Sequence, residues 1–305
     1  MVLKSNEENM QSHSSNTPEF SRRLEDIKAR LTQDGDTESG TLAEKLEILQ
    51  QLTEFEYGRF LIQHGGINGR WSHYLFYEFP LLEAAGKKFH PLEYKMLTNK
   101  GMQSNRERIP LLQSLLVPDL TDGISILSVP CGVMAEVLTM DMSLLKNFRL
   151  VGVDLDESSV ELARNFARER RLDTQVEFYQ RDAWNLNFDG EFDRIVSLGL
   201  NMYCQNLESA LNLYRSFHRT LKANGKLMVS YLTPTSGPDC ERDLKQLSSE
   251  EKRLIPLISE ILQIKYVNHL NSSAQIVENL KMAGFKSITC HYSSYRALNI
   301  AVAIK

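Results

Sequence analysis

The chain has 305 residues, with 35 basic against 39 acidic side chains, a formal net charge of −4, 42% hydrophobic residues and 24% charged. That is mass enough for one large or two small globular domains, and with 14 basic and 17 acidic residues up to position 120 and 21 and 22 after it, neither part is a basic nucleic-acid arm. No apolar run nears the roughly 18 residues that cross a bilayer, and the polar start MVLKSNEENMQSHSSNTPEF has no apolar signal core, so the expectation is a soluble, cytoplasmic protein with no membrane partner.

Residues 1 to about 18, rich in Ser, Asn and Glu, read as a disordered tail. A short helix is expected over Ser21 to Leu31, and Thr32 to Gly40 is a linker by composition, so residues 1–40 form the first part. Thr41 and Glu44 then make a capping box. Behind it Leu42, Leu46, Leu49, Leu52 and Phe55, at spacings of three and four, predict one helix over 41–63. His64-Gly65-Gly66 turns the chain into the aromatic cluster Trp71, His73, Tyr74, Phe76, Tyr77 and Phe79. Residues 41–120 thus read as a helical N-terminal cap and substrate region.

From 124 the pattern changes, and 121–305 reads as one α/β domain. Strands are expected at Ile124 to Val129, Arg149 to Val153, Gln175 to Tyr179, Phe192 to Ser197 and Lys226 to Leu232. Between the second and third, Val160, Ala163, Phe166 and Ala167 mark one face of a helix that Asp156 caps. Leu207 to Leu221 is helical, with Asn224-Gly225 as its stop, and a further helix covers about 272 to 283. Such alternation implies a Rossmann-like, doubly wound parallel sheet. Lys286 to Tyr292 and Arg296 to Ile304 are separated by only a short turn, so that closing pair is antiparallel.

A strand, loop and helix followed by a strand that ends in an acid is a device for holding an adenosine, the acid accepting from ribose hydroxyls. Here the unit is Ile126-Leu127-Ser128-Val129-Pro130-Cys131-Gly132-Val133-Met134, and the acid is Asp154. On these residues the chain resembles the class I S-adenosyl-L-methionine (SAM)-dependent methyltransferases, over about residues 106 to 305. Four further stations follow in order: Gly152-Val153-Asp154, Val176 to Ala183, Phe192 to Gly199, and Leu221 to Leu227. The closing antiparallel pair is similar to that of the family's seven-stranded sheet.

The resemblance implies SAM as cofactor, with Asp154 on the ribose diol and Leu155 against the adenine face. Asp182 would accept from the adenine amino group, beside the backbone amide of Ala183. Ser128, Pro130, Cys131 and Gly132 would form the loop along the methionine part, and Leu198 and Gly199 would flank the sulfonium. This chain departs from the family in having Ser128 where an acid is usual, and Pro130 and Met134 where glycines are usual.

Plainer readings stand beside these. Asp154 could cap the next helix, although Asp156 is better placed, and Asp182 could bond its own loop backbone. Cys131 after Pro130 is similar to the nucleophile of cytosine-5 methyltransferases, but it follows the first strand, and a small structural residue is the better reading. Arg164, Arg168, Arg170 and Arg171 are interleaved with Glu161, Glu169 and Asp173 as on a solvated helix face. The histidines have no metal-ligand spacing, so no metal is expected.

The expected activity is methyl transfer from SAM to a small-molecule acceptor. In-line displacement at an activated carbon needs alignment and dryness more than a catalytic constellation. If the acceptor must lose a proton, His73 and Tyr203 are the candidate catalytic residues. Two alternatives remain open: a methyltransferase-like binding module without catalysis, and a nicotinamide-dependent oxidoreductase, which would want a G-x-G-x-x-G that Pro130 to Ala135 does not supply.

Overall fold

A computed structural model describes residues 18–263 and 269–305. The expected tail lies almost wholly outside them. The helices are α1 (Pro18–Asp34), α2 (Leu42–Leu52), α3 (Glu56–His64), α4 (Gly69–His73), α5 (Phe79–Ala84), α6 (Pro91–Thr98), α7 (Lys100–Leu116), α8 (Ala135–Leu138), α9 (Glu157–Glu169), α10 (Leu207–Thr220), α11 (Ser249–Leu262) and α12 (Ser273–Met282). The strands are β1 (Ile124–Ser128), β2 (Phe148–Asp154), β3 (Val176–Gln180), β4 (Phe192–Ser197), β5 (Leu221–Leu232), β6 (Lys286–His291) and β7 (Leu298–Ile304). They gather into two compact units, one of residues 18–67, 74–102 and 245–263, the other of 68–73, 103–244 and 269–305.

The first unit is helical. Thr41 caps α2 as expected, its hydroxyl accepting the Glu44 N–H while the Glu44 carboxylate accepts the Thr41 N–H at 2.9 Å. The single helix expected over 41–63 is instead two. The Thr53 N–H and hydroxyl both donate to the Gln50 carbonyl, at 2.9 and 2.7 Å, and Phe55 is extended. α3 then folds back so tightly that a Cβ on Gly58 would lie 2.1 Å from the Leu52 carbonyl oxygen. Apolar spacing continues across the break, which is why periodicity alone reads as one helix.

The short helix expected at 21–31 extends to both sides as α1. α11, which the sequence reading lacks, belongs to this unit, and a capping box between Ser248 and Glu251 starts it. Lys45 is fully buried, and its ammonium donates to the Gly35 carbonyl at 2.9 Å and to Glu260 at 2.6 Å. Glu260 also accepts from Thr37 and Ser39. The Lys45 bond, then that of Ser39, holds the Glu260 carboxyl down to about 2.

The second unit is a seven-stranded sheet in the order β3-β2-β1-β4-β5-β7-β6, parallel except where β7 runs against β5 and β6. β1 is buried along its whole length, and Leu127, Val151, Ile195, Leu227 and Ala301 join one core with Tyr214 and Phe217 of α10. α10 stops at Thr220, short of the Asn224-Gly225 stop. β5 begins at Leu221, paired with Phe192, and a register shift with Asn224 at φ +61° precedes the main pairing from Lys226. At the opposite edge from the β1 carboxyl end, Asp119 accepts from Arg194 at 2.7 Å and Lys226 at 2.6 Å. β1 is flanked by β2 and β4, so the strand order reverses beside it. The resulting crevice lies outside the carboxyl ends of β1, β2 and β4, where open α/β sheets bind ligands.

Candidate functional site

The β1 carboxyl end runs from buried Ser128 into Val129 and Pro130, joined by a cis peptide, then Cys131, Gly132, Val133 and Met134. Gly132 at φ +49° and Met134 at φ +57° are left-handed, and the Met134 N–H closes a turn onto the Cys131 carbonyl at 2.6 Å. The chain leaves the strand through these two left-handed residues and enters α8. Cys131 is buried, donates its N–H to the Val153 carbonyl at 2.8 Å and packs where a Cβ on Gly152 would come within 3.1 Å of its sulfur. Burial, with Asp154 and Glu136 nearby, pushes its thiol well above the usual range. A small packed residue fits this environment, and an activated nucleophile does not.

Asp154 ends β2. One of its oxygens accepts the Gly132 N–H at 2.8 Å and the other the Asp156 N–H at 3.0 Å, which locks the carboxylate across the turn. Helix capping falls to Asp156, whose side chain accepts the Ser158 N–H. Burial outweighs the backbone N–H bonds to it and raises the Asp154 carboxyl. Beside it Leu155 is 70% exposed, an apolar side chain left uncovered at a strand end. The Arg181 N–H donates to the Asp154 carbonyl at 2.9 Å and draws the β3 loop alongside. In that loop Asp182 is exposed and accepts the Trp184 N–H at 3.0 Å, the self-bonded turn named among the plainer readings. Ala183 is buried behind it.

After β4, half-buried Leu198 leads to Gly199 at φ +91°, whose N–H donates to the Ser230 hydroxyl of β5 at 2.8 Å. A Cβ there would sit 3.1 Å from the end of the flexible Met202 side chain and in ordinary contact, 3.5 Å, with the Arg108 guanidinium, so it is the backbone angle that calls for glycine. Tyr203 follows, 44% exposed. Burial, then the charge of Asp154, keeps its phenol protonated at a raised pKa, with Arg108 opposing. His73 is elsewhere in kind: 6% exposed, edge-on to Phe166 of α9 with ring centroids 5.3 Å apart. Burial, then Arg70, brings its pKa down to about 4, so it is neutral at pH 7 and a weak proton acceptor.

Three residues of this site were not singled out from the sequence. Arg108 on α7 is buried and donates to Ser230 at 3.4 Å. Glu136 on α8 is 8% exposed, accepts the Ser128 hydroxyl at 2.6 Å, and burial pushes its carboxyl up to about 7. Gly69 starts α4 so close to the loop that a Cβ on it would lie 2.4 Å from the Ser159 hydroxyl and 2.8 Å from the Gly132 Cα. The room left by Gly132 in its Cβ direction is therefore taken by the backbone of Gly69. A glycine pair of this sort gives no sequence signal, since 63 positions separate the two.

Among the described residues, no helix is long and apolar enough to cross a membrane, and no group of three or more His, Cys, Asp or Glu is placed to hold a metal.

Residues 120–284, more than half of the chain, match the family model described as a methyltransferase domain. The chain is 22% identical over 185 residues to a demethylmenaquinone methyltransferase of Lactobacillus johnsonii, covering 57% of this chain and 73% of that one. It is 29% identical over 144 residues to a phosphoethanolamine N-methyltransferase of Triticum aestivum, covering 46% of this chain and 26% of that much longer one. Among solved structures, a "possible exported protein" of Bordetella parapertussis is similar with a TM-score of 0.88 at 29% identity, over 97% of this chain and 98% of that one.

Proposed function

Because the chain belongs to the methyltransferase-domain family and is a SAM-dependent methyltransferase, we propose that the crevice at the carboxyl ends of β1, β2 and β4 is its cofactor site and that the acceptor is a small organic molecule. The observation that carries the site is the Asp154 carboxylate, locked by the N–H groups of Gly132 and Asp156. A carboxylate offers about four acceptor positions. Backbone N–H groups hold the carboxylate in place, and its remaining acceptor capacity suits a ribose diol. Leu155, uncovered at 70%, suits an adenine face, and the free acceptor capacity of Asp182 beside the Ala183 amide suits the adenine edge. The loop from Ser128 through Pro130, Cys131 and Gly132 follows the methionine part, and Leu198 and Gly199 border the reacting centre.

When bound, SAM supplies a methyl group already activated by its sulfonium. The chain aligns and dries the reaction. Gly199 brings backbone rather than side chain to the reacting centre, and Ser230 fixes that backbone by hydrogen bond. Tyr203, with its proton held, acts as a donor that orients the acceptor. His73, at a pKa of about 4, is a poor base. This favours an acceptor that arrives nucleophilic. The balance of charge, and relatives named for demethylmenaquinone and phosphoethanolamine, support a small molecule over nucleic acid. We assign the activity to the cytoplasm.

Isothermal calorimetry with S-adenosylhomocysteine tests the site. Asp154→Ala and the near-isosteric Asp154→Asn are expected to weaken binding at least about 50-fold, the loss of charge-assisted bonds to two hydroxyls. A wild-type chain silent to SAM at millimolar concentration would overturn the reading.

A further inference from the structure

We propose that the amino edge of the second unit's sheet is the contact face of a two-fold dimer of this chain, in which Leu144 of each copy enters a cavity of the other. The inference is independent of the cofactor site, which lies at the carboxyl ends of the strands. At the amino edge, beside the first residue of β2, a cavity of about 340 Å³ is lined by Leu138, Met140, Met142, Leu145, Phe148 and Leu172. Local chain geometry builds it. The Met140 N–H donates to the Val137 carbonyl at 3.0 Å as α8 ends. Past the end of α9, Arg171 is at φ +58° and the Leu172 N–H donates back to the Ala167 carbonyl at 2.9 Å, which returns an apolar side chain to the cavity. The Leu145 N–H closes a turn onto the Met142 carbonyl at 3.0 Å, and at the tip of that turn Leu144 stands 91% exposed, beside the cavity rather than in it.

A projecting leucine and a cavity on one face complement each other, and an isologous contact uses both of them twice. Removing the leucines from water drives the association, and Met140 and Met142 adapt to what enters. Charge supports a second copy over any other occupant. Asp141 and Arg170 both line the cavity, and among the described residues neither has an ion-pair partner. The Ser143 hydroxyl, then its N–H, holds the Asp141 carboxyl below the usual carboxylate range, and the Arg170 guanidinium rests 5.3 Å from the Phe166 ring centroid. A two-fold axis beside the cavity sets Asp141 of one copy against Arg170 of the other, and the reverse. An apolar small molecule would leave both charges unused. Ten residues line the cavity, about half of the 20–30 that each side of a standard interface contributes, so the dimer is a weak one with a dissociation constant of about 10 to 100 µM.

Sedimentation velocity of the full chain between about 1 and about 300 µM tests the dimer, the mass rising from that of one chain toward that of two. Leu144→Asp changes an exposed side chain and leaves the fold intact, which an unchanged melting temperature at the lowest concentration checks. It is expected to weaken association at least about 100-fold, since two leucines are lost from each dimer. Asp141→Arg and Arg170→Asp each bring like charges together twice and are expected to weaken association about tenfold. The double variant Asp141→Arg/Arg170→Asp is expected to recover the wild-type constant to within about threefold, a recovery that only reciprocal pairing produces. A wild-type chain that stays monomeric at about 300 µM overturns the proposal, and saturable binding of 8-anilinonaphthalene-1-sulfonate to that monomer would assign the cavity to an apolar small molecule instead. A dimer that Leu144→Asp leaves intact, or a double reversal that does not recover, overturns it as well.

Discussion

Glu136 and Asp154 show what a buried carboxyl costs a site before any ligand is present. Burial moves the Glu136 carboxyl from an unfolded value near 4.5 up to about 7. A raised folded pKa contributes stability that is full below pH 4.5 and is lost as pH rises through 7. At pH 8 the cost is about 3 kcal/mol. Glu136→Gln is therefore expected to unfold at higher temperature than the wild-type chain at pH 8 and at nearly the same temperature at pH 4.5, both without ligand. A difference that does not grow with pH would place the carboxyl in water. Gly69 gives the steric counterpart. Its missing Cβ leaves room for Ser159 and Gly132, so Gly69→Ala should lower the melting temperature by several degrees, an overpacking cost of about 2 kcal/mol.

At the scale of elements, the helices and strands with strong local signals form where their sequences place them. α9 has its Asp156 cap and buries Val160, Ala163, Phe166 and Ala167. α2 has its Thr41 capping box. What local signals miss are the breaks made by long-range packing. The close approach of Gly58 to the Leu52 carbonyl divides α2 from α3, and backbone against Cβ leaves no side chain free to move. Gly58→Ala is expected to destabilise by about 3 kcal/mol in urea unfolding, and a change under 0.5 kcal/mol would mean that the helix pair can separate without loss. α11 had a legible start in Ser248 and Glu251, but Pro256 inside it argues against a helix on propensity. Its burial of Leu257, Ile258 and Ile261 and its Glu260 bond to Lys45 outweigh that propensity. Lys45→Ala, which leaves Glu260 without its main partner, is expected to cost about 3 kcal/mol at pH 7.

For the whole molecule, ligand linkage ties fold to function. S-adenosylhomocysteine at about 100 times its dissociation constant should stabilise the chain by about 2.7 kcal/mol, read as a rise in melting temperature that Asp154→Asn abolishes. Hydrogen exchange should slow chiefly in 128–136 and 154–156, and protection confined to other segments would relocate the site. The sequence by itself determined the α/β class, the antiparallel close of the sheet and the order of the stations from Ser128 to Leu227. Those features are local, since side-chain period, caps and turn residues act over a few positions. Only the tertiary structure decided that the crevice opens where β1 lies between β2 and β4, that Gly69 backs Gly132, that Arg108 stands behind Gly199, and that Ser128 meets the carboxyl of Glu136. Each of these joins residues through the path of the chain. Two left-handed residues, Gly132 and Met134, turn the chain from β1 into α8, and no local pattern encodes the neighbour that such a turn delivers.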